Sequence, residues 1–209
     1  MSTLTQNNFV YQDAETKKYM LGFKIMELSG AFGEQTKIET FLRPVLKAVC
    51  DKTRQNTHLA ILHGQEVVFI AVEQPRNGIS MHISVGTREP AHATALGKVL
   101  IAFTQKNEQE LLLQGIVFTH YTPHTIVDGD EYRNHLSSIV QNRYAVDDEE
   151  YRLGVVCIAA PVFNHRGEVE YSIGISGPKD QISPHIADYI TVVQDAGAEC
   201  SRLLGMSSR

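Results

Sequence analysis

Four adjacent acidic residues, 147–150, end seven residues before Cys157 in the segment YAVDDEEYRLGVVCIAAPVF (144–163). Side chains of these types could supply a thiol nucleophile with its base, a set of metal ligands, or polar contacts inside a small-molecule pocket. They could equally form a solvated acidic turn beside a core cysteine. The choice depends on the elements that position the acids and the thiol.

A nucleophilic Cys157 would need a base such as His92 to generate its thiolate. The apolar sequence GVVCIAAPV predicts a strand interior, where burial raises the pKa of a thiol. No motif places a histidine beside this cysteine. The sequence therefore favours a core or pocket-wall residue and predicts no catalytic residue, with a small cytoplasmic enzyme using Cys157 as the alternative.

Metal and phosphate sites lack their usual signatures. The nine histidines are scattered, and none has the ligand spacing of a CxxC or HExxH motif. A metal held by side chains from distant strands stays open, but none is predicted. Gly97 and Lys98 alone are a weak phosphate-binding signal without a GxxxxGK[ST] or GxGxxG motif, so we expect no cofactor.

The acidic run itself divides into two parts. Adjacent like charges repel and prefer water, so 148–150 are predicted to form a solvated turn. Asp147 follows the apolar Val146 at the end of a short predicted strand and is the acid expected to point inward. Asp147 and Cys157 are therefore candidates for opposite walls of one ligand pocket.

Composition limits the class of protein. The 209 residues suffice for one large domain or one domain with a fragment, and the net charge of −5 gives no sign of nucleic-acid binding, although a small basic patch could be hidden in it. Three widely spaced cysteines argue against a disulfide framework and for a reducing compartment. Without a leader peptide or an apolar run of roughly 18 residues, the sequence predicts a cytoplasmic protein with no membrane segment.

The first third of the chain alternates between short strands and helices. A β-hairpin is predicted over 9–21 with Asp13 in its turn, followed by a helical stretch over 22–33. The next helix is predicted over 34–54, with a kink or interrupted start at Pro44. The spacing of its apolar residues predicts the buried face Ile38, Leu42, Val45 and Val49.

The remaining patterns predict an antiparallel sheet with helices. Helices are expected from about Thr94, from an Asn107 cap, from an Asp128 cap and from a Ser183 cap. Because the strands pair through short turns and the helices cluster, the fold class is α+β with an antiparallel sheet flanked by helices. The predicted strands are 57–62, 67–72, 79–85 (alternating, and covered on one side), 155–163 and 168–176.

Three stretches of the chain have a specific wording: EPAHATALGKVLIAF (89–103), YAVDDEEYRLGVVCIAAPVFNHRGEVEYSIGISGP (144–178) and FVYQDAETKKYMLGFKIMEL (9–28). They resemble the IclR-type transcriptional regulators, which carry a winged helix-turn-helix domain, a linker helix and a GAF-like effector-binding domain. The resemblance extends from about residue 4 to the end and is most specific in the second stretch. It implies a non-enzymatic regulator that binds operator DNA and senses a small metabolite, often a carboxylate or sugar acid.

The resemblance also implies a division of the chain. Residues 1–21 would be the remnant of the winged domain, 22–33 the linker helix and 34–209 the effector-binding domain. The recognition helix would lie before residue 1, through a shortened chain, a misassigned start or a lost domain, so this chain is not expected to read an operator. Lys17 and Lys18 on the wing would touch phosphate only.

The implied effector site lies where the AHATALGK helix start meets the strands. Helix-start amides near Ala95 and Leu96 would bind an anionic head, and Asp147, Cys157 and Ser176 would bond hydroxyl or carbonyl groups. Gly174 stands where some members have a second serine, which would remove a donor and leave more room. The full implied lining is Gly78, Met81, Ala95, Leu96, Asp147, Val155, Cys157 and Ser176.

The partners implied are a small-molecule effector and, through the full-length protein only, operator DNA, with the chain acting as a homodimer or dimer of dimers. A free-standing sensory or dimerisation module without DNA function is the third reading of the same residues.

Overall fold

The computed structural model describes residues 2–28, 38–75 and 83–206. The chain divides into two compact units, residues 1–41 and 42–209. None of the helices in the described ranges is both long and apolar enough to cross a bilayer.

The first unit contains the predicted hairpin. A short helix, α1 (Ser2–Gln6), precedes β1 (Val10–Gln12) and β2 (Tyr19–Leu21), which pair antiparallel. The Asp13 carboxylate accepts hydrogen bonds from the backbone N–H groups of Thr16 at 2.6 Å and Glu15 at 3.1 Å. This confirms the hairpin and the role of the aspartate in its turn. Residues 24–28 are helical, and the rest of the predicted 22–33 helix falls outside the described residues.

Six strands form the sheet of the second unit, in the order β5-β4-β3-β8-β7-β6, with every neighbouring pair antiparallel. The turn between β3 and β4 is tight because Gly64 adopts a φ of 62°. The α+β class with an antiparallel sheet is confirmed. The strands are β3 (Asn56–His63), β4 (Glu66–Glu73), β5 (Arg88–Pro90), β6 (Ala145–Asp148), β7 (Val155–Phe163) and β8 (Val169–Pro178).

Helices cover both faces of this sheet. Alternate residues of β7 point to opposite faces, so Cys157 and Ala159 face α3 (Ala95–Phe103) while Ala160 faces α7 (Ile186–Leu203). The helix α7 lies close to β7, and residue 197 is glycine at the point of contact. A Cβ there would lie 2.7 Å from the Pro161 carbonyl oxygen. The other helices are α2 (Ile38–Thr53), α4 (Lys106–Gly115), α5 (Gly129–Asn142) and α6 (Lys179–Ile182).

Several boundaries and faces differ from the sequence predictions. The strand predicted over 79–85 is not found at residues 83–85, and residues 79–82 lie outside the described residues. Ile83 is buried, and Val85 is exposed in a turn before β5. In α2 the buried positions include Leu46 rather than Val45, and the helix is continuous across Pro44. The spacing of apolar residues in α5 predicts Leu136, Ile139 and Val140 as its buried positions, but Tyr132 is buried and Val140 is exposed.

Of the three predicted helix caps, Asp128 is confirmed and Asn107 and Ser183 are wrong, while Thr94 is a cap at the predicted start of its helix. Gln105, not Asn107, occupies the N-cap of α4. Ser183 makes no capping bond because the chain is already helical from Lys179. Thr94 caps α3 and Asp128 caps α5, each through a side-chain oxygen that accepts from backbone N–H groups in the first turn.

Candidate functional site

Asp147, Cys157 and Ser176 form one row across three adjacent strands. Asp147 on β6 lies directly opposite Cys157 on β7, and Cys157 lies opposite Ser176 on β8. Directly opposed residues project from the same face of a sheet, with their Cβ atoms about 5 Å apart. The expectation that Asp147 and Cys157 stand on opposite walls is therefore wrong, because the antiparallel return of β7 makes them neighbours on one wall.

His58 extends this row from β3. Its Nε2 atom lies 2.7 Å from the Ser176 hydroxyl, and its ring meets Phe69 edge to face at a centroid distance of 5.1 Å. The ring is buried, and burial lowers its pKa to about 3, so the imidazole is neutral at pH 7. Its Nδ1 atom has no hydrogen-bond partner among the described residues. Sequence reasoning missed this residue because a lone histidine in a strand carries no spacing signal.

The start of α3 faces the row from above the sheet. The Thr94 hydroxyl accepts from the Gly97 N–H at 3.3 Å and donates to the Pro90 carbonyl at 3.0 Å. Ala95 and Leu96 supply the first amides of this helix, which have no partner within it. Gly97 is required here, because a Cβ would come within 2.2 Å of the Ala91 carbonyl oxygen.

These elements enclose a narrow pocket of about 20 Å³, enough for one water molecule. Ala95, Leu96, Asp147, Val155, Cys157 and Ser176 line it, as the resemblance implied, while Gly78 and Met81 lie outside the described residues. Sequence reasoning did not name the other described lining residues: His58, Phe69, Ile83, Glu89, Thr94, Tyr151, Arg152 and Ile175.

Asp147 is a buried carboxyl with local hydrogen bonds. Its Oδ1 atom accepts from the backbone N–H of Glu150 at 2.7 Å and more weakly from that of Tyr151 at 3.4 Å. Burial raises the pKa of Asp147 to about 6, while nearby Lys98 opposes that rise. The group can therefore accept or donate a hydrogen bond toward a ligand close to neutral pH.

Glu150 is not part of a solvated turn. It is buried, and its Oε1 atom accepts a hydrogen bond from the ammonium of Lys98, a residue of α3 with no exposed surface. Lys98 also donates to the Val146 carbonyl at 2.7 Å. Burial raises the pKa of Glu150 to about 7, against the opposing effect of Lys98. The prediction for this acid is wrong, because a cation reaches it from a distant helix.

The other two acids of the run are held at the surface by Lys179. The ammonium contacts the Asp148 carboxylate at 2.8 Å and the Glu149 carboxylate at 2.5 Å. The Thr122 hydroxyl donates to the Glu149 carbonyl at 2.6 Å, and that of Thr125 to the Glu150 carbonyl at 2.6 Å. The turn after β6 is therefore fixed from several sides, and this fixes Asp147 at its start.

The environment of Cys157 disfavours a thiolate. Burial raises its pKa well above the ordinary value, and the negative charges of Asp147 and Glu89 raise it further. The neighbouring His58 hydrogen-bonds Ser176 and is itself hard to protonate. The thiol is therefore suited to lining the pocket rather than to attacking a substrate.

The space expected beside Gly174 is absent. A Cβ at this position would lie 2.5 Å from the Ile158 carbonyl oxygen and 3.1 Å from the Ala159 Cβ. Gly174 also lies directly opposite His58. The expectation of a roomier pocket is wrong, because the backbone of β7 closes the position.

Polar atoms of the buried layer beside the pocket lack partners among the described residues. The Tyr132 hydroxyl and the Glu150 Oε2 atom are both buried and unpaired. Burial raises the pKa of Tyr132, and Glu150 adds to that rise, which places the two groups near each other. Within the described ranges, no group of three or more His, Cys, Asp or Glu side chains is arranged to hold a metal ion.

A second charged pair lies at the pocket itself. The Arg152 guanidinium donates to Glu89 Oε1 at 3.1 Å, and the same guanidinium lies 4.8 Å from the centre of the Tyr151 ring. Glu89 is nearly buried on β5, whereas the Arg152 side chain is about half exposed, at 47%. Both residues line the pocket.

Between the sheet and the start of α3 lies a concave pocket with apolar walls and a few convergent polar groups, which is the usual form of a small-molecule site. The family model "Bacterial transcriptional regulator IclR C-terminal" matches residues 32–202. The chain therefore belongs to the IclR family of transcriptional regulators, of which it contains the effector-binding domain.

Relatives and solved structures agree with this assignment. The chain is 33% identical to the HTH-type transcriptional regulator XynR of Escherichia coli over 98% of this chain and 82% of that protein. The Thermotoga maritima IclR crystal structure superposes with a TM-score of 0.82 at 28% identity, covering 98% of this chain and 83% of that one. The C-terminal domain of E. coli KdgR covers 80% of this chain and 98% of its own, with a TM-score of 0.72 at 25% identity. These relatives are transcriptional regulators.

Proposed function

We propose that residues 34–209 sense a small metabolite, a carboxylate or sugar acid, and thereby control operator binding by the full-length regulator. The observation that carries the proposal is the row of Asp147, Cys157 and Ser176, which faces the start of α3 inside a buried pocket. A polar row opposite a helix start suits a ligand with an anionic end and hydroxyl groups.

The anionic head would bind at the start of α3. The amides of Ala95 and Leu96 have no partner within the helix and lie at its positive end. Asp147, Cys157 and Ser176 would bond hydroxyl or carbonyl groups, and Val155 would contact the carbon chain. Gly78 and Met81 remain predicted wall residues. His58 joins this set because its unpaired Nδ1 atom is buried beside Ser176.

We expect binding to widen the pocket. The space of about 20 Å³ between the described walls suffices for a water molecule and is small for a metabolite. An effector would therefore favour a more open packing of these walls. That difference in affinity between two packings is what would transmit the signal to the DNA-binding domain.

The first residues are proposed to belong to the DNA-binding side. Residues 1–21 would form part of the winged domain, with the exposed Lys17 and Lys18 at the tip of the hairpin near DNA phosphate. Residues 22–33 would be the linker helix. Large apolar side chains are exposed around the start of this segment, namely Leu21 at 72%, Phe23 at 80% and Met26 at 70%. Such a patch suits a homodimer or dimer of dimers in the cytoplasm.

The test is a thermal-shift screen of carboxylates and sugar acids followed by calorimetry. A ligand that binds the native state raises its melting temperature by mass action. We expect a binding acid to lose at least about tenfold in affinity in Asp147→Ala and Ser176→Ala, since each leaves a polar ligand group unpaired. Unchanged affinity in Asp147→Ala and Cys157→Ser would contradict the site.

Lys24→Ala is a suitable control, because Lys24 lies in the first unit. Its ion-pair partner among the described residues is the neighbouring Glu27. Its calorimetric affinity should equal that of the wild type.

A further inference from the structure

We propose that Glu89 and Arg152 form a specificity filter that admits an acid ending in a hydroxyl group and rejects one ending in a second carboxylate. The inference rests on the proposed function, namely that the pocket binds a small acid by its first carboxylate. It adds a class of ligand and the two residues that select it.

The charged groups that face the pocket are mostly acidic. Its described lining includes two carboxylates, Asp147 and Glu89, and one guanidinium, that of Arg152. The neutral His58 adds no charge. A ligand whose first carboxylate lies at the start of α3 must therefore direct its remaining groups into surroundings in which acceptors predominate.

The guanidinium at the pocket, that of Arg152, already has a carboxylate partner. The Arg152 guanidinium is already bonded to Glu89 Oε1 at 3.1 Å. Glu89 is 9% exposed and is held between this partner and the pocket. A second ligand carboxylate that approached Arg152 from the pocket would come close to the Glu89 carboxylate and be repelled by it.

A hydroxyl group meets no such opposition. It can donate to the Glu89 carboxylate while that carboxylate keeps its bond to Arg152. Burial raises the pKa of Glu89, and Arg152 opposes this rise by favouring the charged form. The pair thus presents an acceptor that binds a hydrogen-bond donor and repels an anion. Such a repulsion allows a site to discriminate between two similar ligands.

Arg152 contacts the Tyr151 ring as well as the Glu89 carboxylate. Its guanidinium lies over the Tyr151 ring at 4.8 Å, and this ring meets Tyr121 edge to face at 5.0 Å. Loss of the Glu89 charge would leave the guanidinium in place but unpaired. The same arginine would then bind the carboxylate that the intact pair rejects.

The experiment compares matched acids that differ only at their far end. Threonate with tartrate and gluconate with glucarate each pair a terminal hydroxyl with a terminal carboxylate. Affinities are measured by calorimetry for the wild type, Glu89→Gln, Arg152→Gln and the control Glu66→Gln. Glu66 is an exposed acid on β4 that pairs with Arg88 on β5, next to Glu89 in the chain, and it does not line the pocket.

The wild type and Glu66→Gln should prefer the hydroxyl-ended member of a pair by at least about tenfold. Glu89→Gln should abolish or reverse that preference by strengthening the dicarboxylate, whereas Arg152→Gln should weaken the dicarboxylate further. A merely structural role for the pair would lower both affinities together and leave their ratio unchanged.

Each result is decisive. An unchanged ratio in Glu89→Gln, or a wild type that prefers the dicarboxylates, overturns the filter while the proposed function stands, because an acid still binds. If none of the four acids and no acid of the screen binds the wild type, both the filter and the proposed function fail. Circular dichroism and melting temperature identify any variant that has failed to fold, and Glu89→Leu then provides the second test of the same ratio.

Discussion

The ammonium of Lys98 and the carboxylate of Glu150 form an ion pair beside the candidate site, with side-chain exposures of 0% and 9%. The pair joins the first turn of α3, which supplies the proposed anion-binding amides, to the turn after β6, and the backbone N–H of Glu150 in that turn holds the Asp147 carboxylate of β6. Much of the geometry of the pocket therefore depends on two residues that do not line it.

Replacing Lys98 alone should be severely destabilising. Lys98→Met removes the partner of the buried Glu150 carboxyl, which must then take up a proton or remain as an unpaired buried charge, and breaking a buried pair from one side typically costs about 3–5 kcal/mol of unfolding free energy. The double variant Lys98→Met/Glu150→Leu should recover most of that loss, since it removes both charges. Urea denaturation followed by circular dichroism measures both values.

An exposed ion pair provides the control for that experiment. Lys47 and Asp51 lie one turn apart on α2 with both side chains more than half exposed. Lys47→Met should change stability by no more than about 0.5 kcal/mol. Equal losses in the two lysine variants would contradict the structural role assigned to Lys98.

Acidification should stabilise the wild type relative to Asp147→Asn. Burial raises the pKa of Asp147 from 3.8 to about 6, so its ionisation costs more in the folded chain than in the unfolded one. The cost is present above pH 6 and is relieved as the pH falls toward 4. The difference in unfolding free energy should shift toward the wild type by up to about 3 kcal/mol over that range.

Urea denaturation of the two chains at several pH values measures this shift. Glu150, with a pKa of about 7, and Lys98 are charged neighbours that both chains share. A difference that stays constant with pH would show that folding does not shift the pKa of Asp147, and one that moves toward the variant on acidification would show that folding lowers it; either result contradicts the prediction.

The thiol of Cys157 should be unreactive at neutral pH. Burial and the nearby acids Asp147 and Glu89 keep its pKa well above the ordinary value. Iodoacetamide should therefore label it slowly at pH 7, and mass spectrometry of the peptides reports the rate. Cys50 and Cys200, whose pKa values burial also raises, are the internal references. Selective and rapid labelling of Cys157 would favour the reading as an enzyme nucleophile.

Introducing a serine at Gly174 should destabilise the fold without improving ligand binding. Its Cβ would lie 2.5 Å from the Ile158 carbonyl oxygen, and a backbone oxygen cannot rotate away. Overpacking of this kind typically costs about 1–3 kcal/mol. Thermal unfolding and calorimetry of Gly174→Ser measure the two quantities. A stable variant with tighter binding would mean that β7 yields at this point.

Local patterns predicted the elements that depend on nearby residues. The hairpin turn follows from Asp13, the start of α3 from Thr94, and the pairing of β7 with β8 from two apolar runs separated by a short turn ending in Gly167. In each case the signal and the structure lie within a few residues of each other.

Long-range contacts explain what the sequence could not predict. Glu150 resembles a solvated acid until Lys98, distant in the chain, is brought beside it by the packing of α3 on the sheet. The neighbourhood of Asp147 and Cys157 depends on the register of β6 against β7. His58 becomes a site residue only because β3 and β8 are adjacent.

The position of the bound acid shows directly whether the pocket at the start of α3 is the effector site. Amide chemical shifts of isotope-labelled protein, recorded while an acid from the screen is titrated, report which residues sense the ligand. We expect the largest shifts at Ala95, Leu96, Tyr151 and Ser176. Shifts concentrated instead at Arg166 and Arg202, which line a separate surface groove beside α7, would contradict it.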